Sequence, residues 1–182
     1  MMVLAITATC ALKKVVAEKY EKDGLSFTHF SNWVIKEDKL LAEGKARLIT
    51  IEGPENAVLT LSRFSAANLI SLESYARTLA NQRKEALKKQ LGGVVPLSEE
   101  ASETGPATMN IAGENRVGLS QKFNIRLLGI DVPHVANFFM VEHGGYQWIL
   151  MIQAPAEKWN RVESGCQKIL DTLAFSGGAE EH

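Results

Sequence analysis

Imidazole and carboxylate groups crowd one short stretch of this chain, where Asp131, His134, Glu142 and His143 lie close together in sequence. Such groups are common zinc ligands and common proton carriers in general acid–base catalysis. A small metal-dependent or hydrolytic enzyme using His134 or His143 is therefore the enzymatic reading open to the sequence. Spacing argues against a shared centre. If the two histidines sit at opposite ends of one strand they are roughly 25 to 30 Å apart, because a strand advances about 3.3 Å per residue. Surface turn residues are the plainer reading, and His29, near Trp33, reads as a strand-surface or core-edge histidine. The serine-nucleophile, phosphate-loop and dinucleotide motifs are all missing: there is no Gly-x-Ser-x-Gly, Gly-x-x-x-x-Gly-Lys or Gly-x-Gly-x-x-Gly. No catalytic residue, metal or cofactor is assigned, and the chain reads as a non-enzyme.

Residues suited to binding are easier to find. Phe138, Phe139, Met140, Tyr146, Trp148 and Met151 form an aromatic and sulfur-rich hairpin, and strand alternation sends some of these side chains to each face of the sheet. An uncovered face would make them an apolar docking surface; two covered faces would make them core. A second candidate is a basic helix face carrying Arg77, Arg83, Lys84, Lys88 and Lys89. It can dock an acidic partner or membrane headgroups, or it can be a solvated face with Glu85 interspersed. The candidate partner-binding residues are Tyr146, Trp148, Phe138, Arg83, Lys84 and Lys88.

Composition narrows the partner to another protein. A net charge of -1 and a pI near 6.4 supply no general attraction to phosphate backbones, so nucleic acid is not expected. No run of eighteen or more apolar residues is long enough to span a bilayer, although a membrane-proximal location stays open. Met1 to Ala11 is apolar or small and free of acids, like the core of a secretory signal, with Thr9-Cys10-Ala11 as a cleavage zone. Against that, no Lys or Arg precedes the apolar stretch, and Thr7-Ala8-Thr9 makes a degenerate lipobox before Cys10. The alternative is an ordinary first helix or strand of a cytoplasmic protein. Cys166 falls on the apolar stripe of the last helix and reads as a small buried hydrophobe; a disulfide to Cys10 is open but unneeded. Oligomeric state is not readable.

These residues need elements to position them. Residues 1–14 are read as the signal-like or N-terminal segment, 15–176 as one α+β domain, and 177–182 as a polar, disordered tail. Val15 to Tyr20 and Leu25 to Phe30 make a hairpin, because Asp23-Gly24 supplies the positive φ of a tight turn. Strand patterns follow over Trp33–Leu41, Lys45–Glu52 and Ala57–Phe64, with Gly53-Pro54-Glu55-Asn56 as a turn. Ser71 caps a helix that continues with helical apolar spacing to Leu91 and stops at Gly92-Gly93. Strands return over Val94–Glu99, Ala107–Ala112, Val117–Leu128, Val135–Glu142 and Tyr146–Gln153. Gly129 to Pro133 and His143-Gly144-Gly145 read as connections. Pro155 then reads as the start of the final helix, where a missing amide hydrogen costs nothing.

This order resembles the PsbP/Mog1/DcrB-like superfamily, including bacterial DUF1795-type proteins. The resemblance runs from about Tyr20 to Phe175. It rests on a phenylalanine-bearing strand ending in Trp33, a meander, the helix with its Arg/Gln/Lys-rich outer face, a second meander, and an Ala154-Pro155-led helix closing on Ile169-Leu170-Asp171-Thr172-Leu173-Ala174-Phe175. It implies an α+β fold, a mostly antiparallel meandering sheet flanked by helices in an α/β/α sandwich. It also implies a non-catalytic, protein-binding or accessory module, as in photosystem accessory proteins, a regulator that binds a small GTPase and periplasmic lipoproteins. A periplasmic or otherwise exported location follows from the same likeness. A cytoplasmic secretion-system accessory or chaperone-like factor is the alternative, and function does not transfer by fold alone.

Overall fold

Asp23 and Gly24 both adopt positive φ, 48° and 75°, and this left-handed pair folds β1 (Ala17–Lys22) onto β2 (Leu25–Phe30). The computed structural model describes residues 14–65, 67, 69–90, 99–127 and 130–176. The segments 1–13 and 177–182, with Cys10 and the signal-like stretch, lie outside them.

A seven-stranded antiparallel sheet forms the centre. Its strands are β3 (Val34–Leu41), β4 (Ala46–Glu52), β5 (Val58–Ser65), β6 (Glu99–Ile111), β7 (Glu114–Leu127), β8 (Ile130–His143) and β9 (Tyr146–Pro155), in the spatial order β3-β4-β5-β9-β8-β7-β6. Helix α1 (Leu72–Gln90) covers one face. Helix α2 (Trp159–Asp171) covers the other, together with a small sheet in which β10 (Ala174–Phe175) joins β2 and β1. The fold is α+β and mostly antiparallel, as the order of elements implies.

Alternation along the strands divides the core in two. On the α2 side, Ile49, Ile51, Leu59, Leu61, Phe139, Val141, Trp148, Leu150 and Ile152 meet Leu25 and Phe27 of the small sheet and Val162, Cys166, Ile169 and Leu170 of α2. On the α1 side a smaller group, Phe123, Ala136, Phe138 and Met151, meets Ala76, with Tyr75 and Leu79 packed around it. Polar side chains anchor α1 as well. Tyr75 shares a 2.8 Å hydrogen bond with Ser62, and buried Gln147 closes a pair of 3.0 Å bonds with the backbone of Ile70. The amide of Ser74 donates to Oγ of Ser71, the N-cap expected from sequence.

Four sequence expectations are corrected. Ala154 and Pro155 end β9, paired with Val135 and His134; a single 3-10 turn, Ala156–Lys158, intervenes before α2. Proline fits a strand end, where no ladder amide is required of it. Residues Ile130 to Pro133 belong to β8, with Leu127 opposite Ile130, so the connection shrinks to residues 128 and 129, outside the described set. Glu99 to Ile111 is one strand, not the ends of two, because β6 pairs only with β7 and an edge strand tolerates Pro106; residues 91–98, including the expected Gly92-Gly93 stop and most of Val94–Glu99, are outside the described set. Finally, α2 stops at Asp171, and Ala174 and Phe175 pair with Ser26 and Leu25 instead of continuing the helix.

Candidate functional site

Two arginines occupy inward-facing positions of the central sheet. In Arg47-x-Ile49-x-Ile51 and Leu59-x-Leu61-x-Arg63 the charged residue is in phase with core residues, and antiparallel register sets Arg47 directly opposite Arg63. Their surroundings differ. The Arg47 side chain is fully buried and every nitrogen is engaged. Its Nε donates to Asp38 Oδ1 (2.9 Å), its Nη2 to Tyr20 Oη (2.6 Å) and Asp38 Oδ2 (3.1 Å), and its Nη1 to the carbonyl of Lys22 (3.2 Å). Tyr20 and Lys22 each donate to Asp38 in turn, at 2.8 and 2.7 Å. The Arg47 guanidinium, followed by the Lys22 and Tyr20 donors, outweighs burial and holds the Asp38 carboxyl well below the usual carboxylate range. Burial, with the Asp38 hydrogen bond second, raises the Tyr20 hydroxyl. Arg47 thus ties the small sheet to the large one, and its charge is answered.

Arg63 is held differently. Its guanidinium lies 4.4 Å from the centre of the Tyr146 ring and 5.9 Å from that of Trp148, a cation–π arrangement that fixes the plane of the fork. Its Nε is buried with no hydrogen-bond partner. Arg116 also has a buried Nε without a partner, but its outer nitrogen reaches an oxygen of Glu114, and the outer nitrogens of Arg83 reach oxygens of Gln153 and Gln121. Among the described residues, no oxygen partners Arg63. A buried donor left unpaired costs roughly 1 to 3 kcal/mol.

The β8–β9 turn closes this end of the sheet. Gly144 and Gly145, at φ 59° and 75°, let His143 and Tyr146 stand opposite one another. Phe175 of β10 stacks on His143 at 5.5 Å and leans on Trp148 at 5.2 Å. Beside them is a hollow of about 400 Å³ lined by Leu69, Glu142, His143, Gly144, Gly145, Tyr146 and Gln147. Tyr146 is thus common to two features: it stacks on a cation that has no oxygen partner among the described residues, and it lines the hollow.

The sequence candidates are distributed over both faces. Tyr146 is half-buried at this site. Trp148, 4% exposed, lies beneath it in the α2-side core, and Phe138, fully buried, lies on the opposite face against Tyr75. Neither presents docking surface, because both faces of the sheet are covered; the expectation for those two residues is corrected to core. Arg83 turns inward from α1, 4.1 Å over the Phe123 ring, with its Nη2 3.1 Å from Gln121 Oε1. His134 stacks on the same ring at 5.6 Å, and its Nδ1 lies 2.9 Å from the Val132 carbonyl. Burial, with the Arg83 charge adding to it, lowers the pKa of His134 and keeps it neutral. The side chains of Lys84 and Lys88 lie outside the described residues. His134 and His143 sit on one strand, close to its two ends, about 30 Å apart at the strand rise. Among the described residues no three His, Cys, Asp or Glu side chains gather into a metal-holding group, and no helix is long and apolar enough to cross a membrane.

Arg63, Arg47 and Phe175 were missed in the sequence reading. The signal for the arginines was present in the phase they share with the core isoleucines and leucines. Phe175 carried none, because its stacking depends on β10 leaving the helix.

No family model and no curated protein matches the chain. Among solved structures, the chain is similar to cyanobacterial PsbP (CyanoP) from Synechocystis sp. PCC 6803, with 10% identity and a TM-score of 0.44 over 94% of this chain and 98% of that one. It is similar to a protein of Bacteroides thetaiotaomicron VPI-5482, with 13% identity and a TM-score of 0.46 over 90% of this chain; it spans 50% of that chain's length. It is also similar to LpqN, involved in cell envelope biogenesis of Mycobacterium tuberculosis, with 9% identity and a TM-score of 0.42 over 90% of this chain and 92% of that one. No residue's role is carried across from any of the three.

Proposed function

We propose that this chain is a non-catalytic accessory module that docks a protein partner at the β8–β9 end of the sheet. The observation that carries the reading is Arg63: a guanidinium with no oxygen partner among the described residues, stacked on Tyr146, which itself lines the hollow at the β8–β9 turn. Arginine and tyrosine are the residue types that concentrate binding energy at protein interfaces. The acid-free apolar stretch Met1 to Ala11 supports work outside the cytoplasm, which mass spectrometry of the mature N-terminus tests.

Docking is tested by photocrosslinking in the native host. A photoreactive phenylalanine analogue replaces Tyr146 in one strain and Ile130, 67% exposed at the other end of β8, in another. Crosslinking to one defined protein from position 146 alone is expected. An identical adduct pattern from both positions, or none from either, rejects this surface.

A further inference from the structure

We propose that Arg63 receives a single carboxylate, presented by an acidic side chain of the docked partner. The proposal rests on the docking reading and adds the chemistry that the surface recognises.

The first argument is charge. Arg47, directly across β4 and β5, is neutralised by Asp38, and Asp23 lies a further 3.5 Å from its Nη1. Glu142, on β8, is paired in register with Gln147, whose side chain serves the α1 face, whereas Arg63 is in phase with the α2-side core. Among the described residues, Arg63 is left as one positive charge without an acid. One charge suits one carboxylate. A phosphate carries up to two negative charges against the single cation offered here.

Geometry supplies the second argument. Stacking on Tyr146 fixes the guanidinium plane, and burial seals Nε, while neither Nη nitrogen is buried and unpaired. The two Nη groups are then the approachable donors, an end-on fork matching both oxygens of one carboxylate. Immobilising the fork before binding removes part of the entropy cost of forming two hydrogen bonds at once. Tyr146 is common to this fork and to the hollow at the β8–β9 turn, whose wall also holds Leu69 and Glu142.

The test uses the whole protein and side-chain ¹⁵N NMR of its arginine Nε–H groups at fixed ionic strength. Four probes are titrated: an end-blocked peptide with one glutamate among glycines, its glutamine counterpart, an unblocked glycine peptide with a free C-terminal carboxylate, and inorganic phosphate. The glutamate peptide is expected to shift the Arg63 signal saturably, at least tenfold more tightly than the glutamine peptide. Arg63→Lys keeps the charge but loses the fork, and should weaken binding at least fivefold with an unchanged unfolding midpoint. Equal binding of the glutamate and glutamine peptides, or an unchanged affinity in Arg63→Lys, overturns the proposal. Tighter binding of phosphate or of the free C-terminus overturns the acidic side chain as the source. Should the peptides fail to discriminate while crosslinking at position 146 persists, the carboxylate falls and the docking surface stands; the opposite pair of results removes the docking reading.

Discussion

Arg47 and Arg63 face each other across neighbouring strands, yet one has all its nitrogens committed to Asp38, Tyr20 and the Lys22 carbonyl while the other has none committed to an oxygen among the described residues. The same residue type, on the same face and in the same register, serves two ends. The difference lies in what the small sheet brings. β1 lays Tyr20 and Lys22 over Arg47, whereas the contacts of the Arg63 guanidinium among the described residues are with aromatic rings from β9. A buried, answered charge joins two sheets; the stacked one has no oxygen partner among the described residues.

The Asp38–Arg47 pair gives the first prediction. Asp38→Asn takes from the fully buried guanidinium its nearest counter-charge, leaving Asp23 at 3.5 Å, and should cost about 3 kcal/mol in chemical denaturation. The double variant Asp38→Leu with Arg47→Met removes both charges and should lie closer to wild type than Asp38→Asn alone. A double variant less stable than the single one contradicts this account. Asp38 also sets an acid limb. Its carboxyl is held below the ordinary 3.8, so the unfolded chain takes up the proton first, and the pair's stabilisation is complete above about pH 4 and fades as pH falls further.

Trp33 gives the second. The indole, 2% exposed, is wedged between two glycines: a Cβ on Gly53 would lie 2.7 Å from its six-membered ring, and one on Gly165 2.7 Å from Nε1. Gly165 is inside α2, where alanine is ordinarily favoured by about 1 kcal/mol. Overpacking costs roughly 1 to 3 kcal/mol and should win. Gly165→Ala is therefore expected to lower the thermal midpoint, and a rise would show that Trp33 has room to move.

Cys166 gives the third. Its thiol is fully buried in the α2 stripe and burial pushes its pKa up to about 12, so almost no thiolate forms near neutral pH. Iodoacetamide should leave Cys166 unmodified in the folded protein and alkylate it in denaturant, as followed by peptide mass spectrometry. Alkylation at similar rates in both states would place the thiol at the surface.

Much of this architecture is legible in local chemistry. Asp23-Gly24 dictates a turn whatever surrounds it, and the alternation in Leu25-Ser26-Phe27-Thr28-His29 marks an inward face. Other features depend on partners distant in sequence. Pro155 opens a helix or ends a strand equally well by its own φ; pairing with His134 decides. Gly105-Pro106 looks like a break, and only an edge position lets the strand run through it. For the site, the hairpin bearing Tyr146 is readable from the sequence. Which of its aromatic side chains are core is not, because one face is covered by α1, two strands before the hairpin, and the other by α2 and the small sheet, whose strands come from both ends of the chain.

His134 gives the last prediction, and its sign follows from burial. In the unfolded chain the imidazole takes a proton near its ordinary 6.5, while in the native state burial and the nearby Arg83 guanidinium push the pKa below that value. Between the two pKa values the unfolded state therefore holds the extra proton, and stability falls as pH drops below about 6.5, with a slope of at most about 1.4 kcal/mol per pH unit. The Val132 carbonyl opposes the shift by accepting from Nδ1, but burial dominates. His134→Phe keeps a ring on Phe123 and removes the titration. Its unfolding free energy should vary less than wild type between about pH 7.5 and 5.5, even if it is lower throughout from loss of the Val132 hydrogen bond. Equal pH dependence in the two proteins would mean that His134 reaches water in the native state, and the ring stack with Phe123 and Arg83 would then have to open to admit the proton.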